Sequence, residues 1–167
     1  SQARFVNAGM MVTLLGAVVS DGLESGNIVS GVGGQYNFVS MAHALEDGRL
    51  VMMVRSTKST KGKLSSNIIF NYGHTTIPRH LRDIVVTEYG IADLRGKCDQ
   101  DVIKEMLNVA DSRFQDELLD QAKKAGKISA DYEIPQAFRN NTPERIRKLA
   151  RPIKAQGYFK DFPFGTD

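Results

Sequence analysis

The sequence predicts an α/β fold in which buried strands are followed by helices. Apolar runs rich in β-branched residues occupy the first half of the chain, segments with helical spacing follow them, and glycine-rich turns separate the two. The chain has 167 residues, of which 41% are hydrophobic and 25% are charged. These values are typical of an ordinary globular domain that is large enough to bury a core.

Five segments of the first half predict strands. Residues 5–20 alternate apolar stretches around glycines and indicate a strand pair, and Asn27 to Val32 indicates a short strand. Leu50 to Val54 is a continuous apolar run, which is typical of a strand buried on both faces. Asn67 to Tyr72 and Asp83 to Tyr89 have the same character, and the second has β-branched residues at its centre.

Helices are predicted between and after these strands. Phe38 to Leu45 is predicted to form a short helix that ends at a turn over residues 46–48. Apolar residues fall at helical spacing over residues 102–110, and Asp99 or Asp101 is placed to cap the first turn.

Two more helices are predicted in the last third. Apolar residues at 114–122 mark one that ends at Gly126 with lysines in its last turn. Thr142-Pro143-Glu144 begins another, which we expect to end near Leu149.

The chain is predicted to divide near residue 126. Residues 1–126 form the predicted domain core, and residues 127–167 form a helical and irregular C-terminal extension packed on it. Residues 127–141 and 152–167 are the irregular parts of this extension.

Charge and cysteine content narrow the functional classes. The net charge is +3, and acids are interspersed with the cations of the last third, so a solvated helix face explains them better than a nucleic-acid surface. Cys98 is the only cysteine, which excludes an internal disulfide and Cys-based zinc sites and favours a reducing, cytoplasmic location. No apolar run approaches the ~18–20 residues that cross a bilayer, so we expect no membrane partner. A single cysteine and histidines without ligand spacing lead us to expect no metal.

Gly31 to Phe38 is the first candidate site. Three glycines in four residues allow the backbone to adopt positive φ and to approach a ligand closely. The helix that follows would direct unpaired N–H groups toward a negatively charged ligand. The segment is no dinucleotide fingerprint, since Tyr36 occupies the third glycine position, and it is no Walker A loop. A strand-to-helix turn without a ligand stays an equal alternative.

Two further candidate segments follow predicted strands. Arg55 to Lys63 is predicted to be a loop whose cations alternate with hydroxyls, and this suits phosphate, although a solvated loop explains it equally well. Glu88 ends an apolar strand and must be solvated, paired or functional. A structural ion pair with Arg95 or Arg82 is the alternative to a functional role.

The histidines and serines give no catalytic pattern. His43, His74 and His80 have no ligand spacing and no acid at a fixed offset, so we predict packing or surface roles for them. No Gly-x-Ser-x-Gly elbow occurs.

These three segments, in this order, resemble the C-terminal domain of the acetyl-CoA hydrolase/transferase family (family I CoA-transferases). The resemblance extends over Arg4 to Leu118, with its core in Ser30–Phe38, Ser56–Ser66 and Val85–Gly96. It implies a NagB/RpiA/CoA-transferase-like fold with an open, mostly parallel sheet flanked by helices.

The resemblance also implies an activity, that of an acyl-CoA hydrolase or CoA-transferase acting on acetyl-CoA-like thioesters. A glutamate, expected upstream of this chain in the N-terminal domain of the same protein, would attack the thioester and pass through an anhydride to a glutamyl-CoA thioester. A small carboxylate or water would then resolve this intermediate. Acyl-CoA is therefore a substrate, no prosthetic group is implied, and a homodimer is compatible with this expectation. We expect the 167-residue chain alone to be inactive.

Roles for five residues follow from the resemblance. Gly34 would donate its backbone N–H to an oxyanion hole, and Glu88 would position the substrate; these are the expected catalytic residues. Gly33 and Gln35 would shape the same loop, and Lys61 would approach coenzyme A.

Several alternatives stay open at this point. Lys58 competes with Lys61 for the contact with coenzyme A, and Asn37 stands where the family often has Asp. A second hypothesis is that the chain is a non-catalytic basic binding or assembly module. A third hypothesis is a sugar-phosphate enzyme on the same fold.

Overall fold

The computed structural model describes residues 2–158. The strands are β1 (Arg4–Ala8), β2 (Met11–Thr13), β3 (Val18–Val19), β4 (Arg49–Met53), β5 (Thr57–Thr60), β6 (Lys63–Ser66), β7 (Ile68–Ile69), β8 (Ile84–Thr87) and β9 (Gly90–Asp93). The α-helices are α1 (Gln35–Ala44), α2 (Asp99–Asn108), α3 (Gln115–Lys124) and α4 (Pro143–Ala155). Short 3-10 helices lie at Arg79–Leu81 and Gln136–Phe138. No helix in this part of the chain is long and apolar enough to cross a membrane.

The main sheet has the strand order β1-β4-β8-β9. β1, β4 and β8 run parallel, and β9 returns antiparallel to β8. A second sheet has the order β3-β2-β7, and its antiparallel β2–β3 pair is the strand pair predicted within residues 5–20. The predicted α/β class with a mostly parallel sheet is confirmed.

One face of the main sheet builds the core. Helices α1 and α2 cover it, because each places an apolar stripe at helical spacing against the strands. The buried side chains of the sheet and these two helices are Leu50, Met52, Val85, Ala92, Val39, Ala42, Val102, Ile103, Met106 and Leu107.

The opposite face of the main sheet is apolar and open among the described residues. Val6, Met53 and Ile91 are 57%, 46% and 69% exposed on β1, β4 and β9. The prediction that Leu50 to Val54 is buried on both faces is therefore wrong for this chain, since alternate residues of the run face outward.

Two strand predictions need correction and a third is confirmed. Asn27 to Val32 forms only one isolated bridge, Gly22 to Ile28, and the N–H groups of Val29 and Ser30 both donate to the Asp21 carbonyl instead of forming a ladder. Of Asn67 to Tyr72, only Ile68–Ile69 pairs, with β2. The strand predicted over Asp83 to Tyr89 is confirmed as β8, but its antiparallel partner β9 was not predicted.

The predicted loop over Arg55 to Lys63 is wrong, since most of the segment belongs to a β-hairpin. β5 pairs antiparallel with β6, which continues to Ser66. Lys61 and Gly62 at its turn have φ of 51° and 77°, as a two-residue hairpin turn requires. The turn at Lys61-Gly62 joins the two strands in spite of the high charge of the segment.

The helices begin and end close to their predicted positions. α1 begins at Gln35 rather than Phe38, so the glycine segment leads directly into it. The N-cap of α2 is Cys98, so the prediction that an aspartate caps α2 is wrong; Asp99 and Asp101 lie in its first turn.

The C-terminal extension packs on the core before it reaches α4. Ile128 and Ile134 are buried in the same hydrophobic cluster as the main sheet. Thr142 caps α4, as predicted, by accepting a hydrogen bond from the Arg145 N–H at 3.3 Å. The division after residue 126 stays a prediction.

Helix α4 is longer than predicted. It continues through Pro152 to Ala155, whereas an end near Leu149 was expected. The irregular structure predicted from residue 152 onward is therefore wrong for residues 152–155, and residues 159–167 lie outside the described part.

Candidate active site

A cavity of about 750 Å³ lies at the carboxyl ends of β1, β4 and β8. Parallel strands that end at one edge of a sheet bring the residues that follow them together there. The residues that line the cavity are Ala8, Gly9, Met10, Met53, Val54, Arg55, Asn67, Val86, Thr87 and Glu88. Because Met53 is also part of the open face, the cavity opens toward that face.

Glu88 lies in the two-residue turn between β8 and β9. The backbone N–H of Ser56 donates to its Oε2 at 2.9 Å, and the Ser56 hydroxyl donates to its Oε1 at 2.6 Å. Hydrogen bonds to a carboxylate are stronger than neutral ones, so both carboxylate oxygens are held. Ser56 is fully buried, whereas Glu88 is exposed and lines the cavity.

The predicted ion-pair partners of Glu88 bind other acids. Arg82 pairs with Asp99 at 3.2 Å, and Arg95 pairs with Asp93. The alternative that Glu88 forms a structural ion pair with Arg82 or Arg95 is therefore wrong, because its partner is the Ser56 that follows β4.

Gln35 connects the glycine segment to the cavity. It is the first residue of α1, it is buried, and its Nε2 donates to the Ala8 carbonyl at 2.8 Å. Its buried Oε1 has no hydrogen-bond partner among residues 2–158. Gln35 and Glu88 thus lie at the same edge of the main sheet.

Gly33 and Gly34 differ in conformation. Gly33 has φ of +57°, the left-handed region that the sequence predicted for this segment. Gly34 is the N-cap of α1 with φ of −87°, so its backbone does not require glycine. Both are exposed, and the catalytic and binding roles assigned to them stay predictions.

Lys61 lies at the tip of the β5–β6 hairpin and is exposed. It follows Ser56 by five residues, roughly 16 Å at the usual rise of a strand. Lys61 does not line the cavity, and neither does Lys58, whose Nζ lies 3.6 Å from the sulfur of Met11. Glu88 therefore lines the cavity and Gln35 binds Ala8 in its wall, whereas Lys61 lies at the tip of the hairpin.

A cluster around Asp21 was missed by the sequence reasoning. His74 Nε2 lies 3.1 Å from Asp21 Oδ1, and Thr76 donates its hydroxyl to the same oxygen. The hydrogen bonds from Thr76 and His74 hold the pKa of the Asp21 carboxyl below its ordinary value. The packing or surface role predicted for His74 did not include this contact, because Asp21 lies 53 positions away and no fixed offset could reveal the pair.

The Asp21 cluster supports the glycine segment. The Asp21 carbonyl accepts the N–H of Val29 at 2.7 Å and that of Ser30 at 3.3 Å. Asp21 and His74 also line a cavity of about 300 Å³ with Val32. The cluster thus fixes the residues that lead into Gly33 and Gly34.

Tyr89 joins a second buried acid. Its hydroxyl donates to Asp111 at 2.7 Å, and Arg113 binds the same carboxylate at 2.7 Å. Burial and then the hydrogen bond to Asp111 raise the pKa of Tyr89. Burial alone would raise the pKa of Asp111, but hydrogen bonds from Arg113 and Tyr89 outweigh it and hold that pKa below its ordinary value.

The chain matches a family of known proteins over most of its length. The model of the acetyl-CoA hydrolase/transferase C-terminal domain matches residues 1–122. A 4-hydroxybutyrate coenzyme A transferase of Clostridium kluyveri is 34% identical over 121 residues, covering 71% of this chain and 28% of that protein. A butyryl-CoA:acetate CoA-transferase of Anaerostipes caccae is 32% identical over 126 residues, covering 72% and 28%. The chain spans little more than a quarter of these relatives.

Solved structures share the fold. RipA from Yersinia pestis is 35% identical with a TM-score of 0.66, over 75% of this chain and 28% of that one. A 4-hydroxybutyrate CoA-transferase from Porphyromonas gingivalis, 23% identical, gives a TM-score of 0.53 over 73% of this chain and 26% of that one. The resemblance predicted from the three sequence segments, and the CoA-transferase-like fold that it implied, are confirmed.

Proposed function

Since the chain belongs to the acetyl-CoA hydrolase/transferase C-terminal domain family, we propose that it is part of an acyl-CoA hydrolase or CoA-transferase acting on acetyl-CoA-like thioesters. The main support is the Glu88 carboxylate, which Ser56 holds at the edge of the 750 Å³ cavity. Such a carboxylate can accept a hydrogen bond from an N–H or O–H of an acyl-CoA and fix its position. Coenzyme A is a substrate in this reaction.

The chemical step that we propose uses a glutamate supplied from outside this chain. That carboxylate attacks the thioester carbon, the thiolate leaves, and the resulting acyl-glutamyl anhydride is attacked by the thiolate. The acyl group leaves as its carboxylate and a glutamyl-CoA thioester remains, which an acceptor carboxylate or water resolves. An attacking carboxylate needs no general base, but it needs oxyanion donors and a positioned thioester.

The glycine segment is suited to donate to the oxyanion. No acceptor for the Gly34 N–H lies within residues 2–158, and the segment ends at the N-terminus of α1. Unpaired N–H groups at a helix N-terminus favour negative charge. We assign Gly34 as the donor, and Gly33 and Gln35 as the residues that shape its loop. We assign Lys61, on the hairpin, to a contact with coenzyme A.

The open face of the main sheet supports a partner for this domain. Sheets of parallel strands are normally covered on both faces, yet Val6, Met53 and Ile91 are exposed here. We propose that the N-terminal domain of the same protein covers this face and brings the nucleophilic glutamate to the cavity that opens there. The lone, exposed Cys98 supports a cytoplasmic location.

Exchange of the acyl group between acetyl-CoA and labelled acetate tests this function. We expect activity in the full-length enzyme, none in the 167-residue chain, and a loss of about 10² or more in kcat/KM for Glu88→Gln, because the substrate is no longer held in position. Glu46→Gln, in the exposed turn after α1, is the matched control and should keep the normal rate.

Two outcomes would contradict this function. Turnover by the 167-residue chain would place the nucleophile within it, and a normal rate for Glu88→Gln would remove Glu88 from the site.

Release of free acetate without an acceptor would identify a hydrolase, whereas dependence on an added carboxylate would identify a transferase.

A further inference from the structure

Helix α4 borders the candidate active site. A second cavity, of about 390 Å³, lies between the β8–β9 turn and the first turns of α4. The residues that line it are Glu88, Tyr89, Pro143, Ile146 and Arg147. Glu88 therefore stands between this cavity and the larger one at the strand ends.

The face of α4 that lines this cavity continues as a row of cations. Residues three or four apart lie on one side of a helix. Arg147 is followed on that side by Arg151 and Lys154, a row of about 10 Å at the rise of an α-helix. The row leads away from Glu88 along the helix.

The charges of this row are available to a ligand. α4 carries one acid, Glu144, which binds Arg147, and both side chains of that pair are more than 70% exposed, so the pair is weak. Arg151 and Lys154 take part in no ion pair within residues 2–158. Both are exposed.

The start of α4 is held firmly, although the helix itself is not buried. The Asn141 side chain is 1% exposed and donates to the carbonyls of Asn108 and Ala110 at 2.8 and 2.9 Å. None of the α4 residues is buried. The first turns of α4 are thus held beside Glu88, while the rest of the helix is open to solvent.

We infer, building on the proposed function, that the row of Arg147, Arg151 and Lys154 binds the phosphates of coenzyme A. Coenzyme A carries its sulfur at one end and its pyrophosphate and 3′-phosphate at the other. If the thioester lies beside Glu88, the phosphates of the same molecule lie farther out. The row of cations begins near Glu88 and extends outward, so it can form charge-assisted hydrogen bonds with these phosphates. The family match ends at residue 122, so this subsite belongs to the extension.

Binding of three ligands to the full-length enzyme tests the subsite. The probes are coenzyme A, dephospho-coenzyme A, which lacks the 3′-phosphate, and pantetheine, which lacks all phosphates. For the triple variant Arg147→Gln, Arg151→Gln and Lys154→Gln, titration calorimetry should give at least about tenfold weaker binding of coenzyme A. The loss for dephospho-coenzyme A should be smaller, and the affinity for pantetheine should be unchanged.

The matched control is the triple variant Lys123→Gln, Lys124→Gln and Lys127→Gln at the end of α3, which removes the same charge. It should bind all three ligands like the unmodified enzyme. Unchanged affinity for coenzyme A in the α4 variant would overturn the inference and leave the proposed function intact. An equal loss for pantetheine would also overturn it, since the helix would then act only by supporting the fold. No binding of coenzyme A by the unmodified enzyme would overturn the proposed function as well.

Discussion

Ser56 determines how Glu88 is presented at the cavity. It lies two residues beyond the last buried position of the β4 run and donates both its N–H and its hydroxyl to one carboxylate. Fully buried donors cannot turn to water, so they keep the carboxylate in one orientation. The held acid of this site therefore results from two neighbouring parallel strands, β4 and β8, that end side by side.

Gly33 and Gly34 should respond differently to substitution by alanine. Gly33→Ala should lower the free energy of unfolding by about 1–2 kcal/mol, because φ of +57° places Cβ near the following carbonyl oxygen. Gly34→Ala should cost less, since its φ is negative and its Cβ would meet only the Phe38 ring, at 3.2 Å.

Urea unfolding of the two variants measures this difference, and acyl exchange in the full-length enzyme measures function. We expect the exchange rate of Gly34→Ala to fall, because the added methyl group hinders the close approach of a ligand to the N–H donor, while its stability stays near normal. Equal destabilisation of both variants would contradict the backbone conformations, and a normal rate for Gly34→Ala would contradict its oxyanion role.

At the scale of elements, β4 divides its side chains between two environments. Met52 faces the core and is 2% exposed, whereas Met53 faces the open side of the sheet. Both methionines belong to the same apolar run, and the register of β4 with β1 and β8 decides which one is buried.

Met52→Ala and Met53→Ala form a matched pair that tests the two faces. In the 167-residue chain, Met52→Ala should cost about 2–5 kcal/mol of unfolding free energy by leaving a cavity, and Met53→Ala less than about 1 kcal/mol. In the full-length enzyme the cost of Met53→Ala should rise, if the N-terminal domain covers this face. An equal cost of Met53→Ala in both proteins, measured by chemical denaturation, would show that the face stays open.

The hairpin β5–β6 and the helix α4 both begin near Glu88. Both are exposed and rich in cations, and both begin beside residues that line a cavity around Glu88. Their start points are anchored, the hairpin through Ser56 and the helix through Asn141. Two cationic elements therefore begin near Glu88, and both are anchored at their start.

For the whole molecule, folded-state carboxyl groups with lowered pKa values set the response to acid. Hydrogen bonds from Arg95 lower the pKa of Asp93 to about 2. The pKa values of Asp21 and Asp111 also lie below the ordinary value of an aspartate. In the unfolded chain these aspartates have their ordinary pKa of about 3.9. Their contribution to stability is thus complete above that pH and is lost as the pH falls through the folded pKa values.

We expect the free energy of unfolding to fall steadily from about pH 5 to pH 2, measured by urea titrations across that range. Asp21→Asn removes one of these groups and should flatten the decline, whereas Asp47→Asn, in the exposed turn after α1, should not. A free energy at pH 3 equal to that at pH 7 would contradict the lowered pKa values.

Much of the fold was predictable because apolar periodicity is local. The apolar stripe of α2 predicts a helix, the β-branched run of β8 predicts a strand, and the glycine segment predicts the turn before α1, each from neighbouring residues alone. The strand predicted at Asn27 to Val32 failed because a strand needs a partner, and no local pattern reveals whether one lies within reach.

The sequence by itself determined the α/β class, the family and the three segments that mark the site, since each depends on residue types a few positions apart. Only the tertiary structure decided that Ser56 rather than an arginine binds Glu88, that His74 meets Asp21, and that α4 lies against the site. Contacts between distant residues depend on strand register and on how layers pack, and these are properties of the whole chain. The open face of the main sheet likewise depends on which residues the rest of the fold covers.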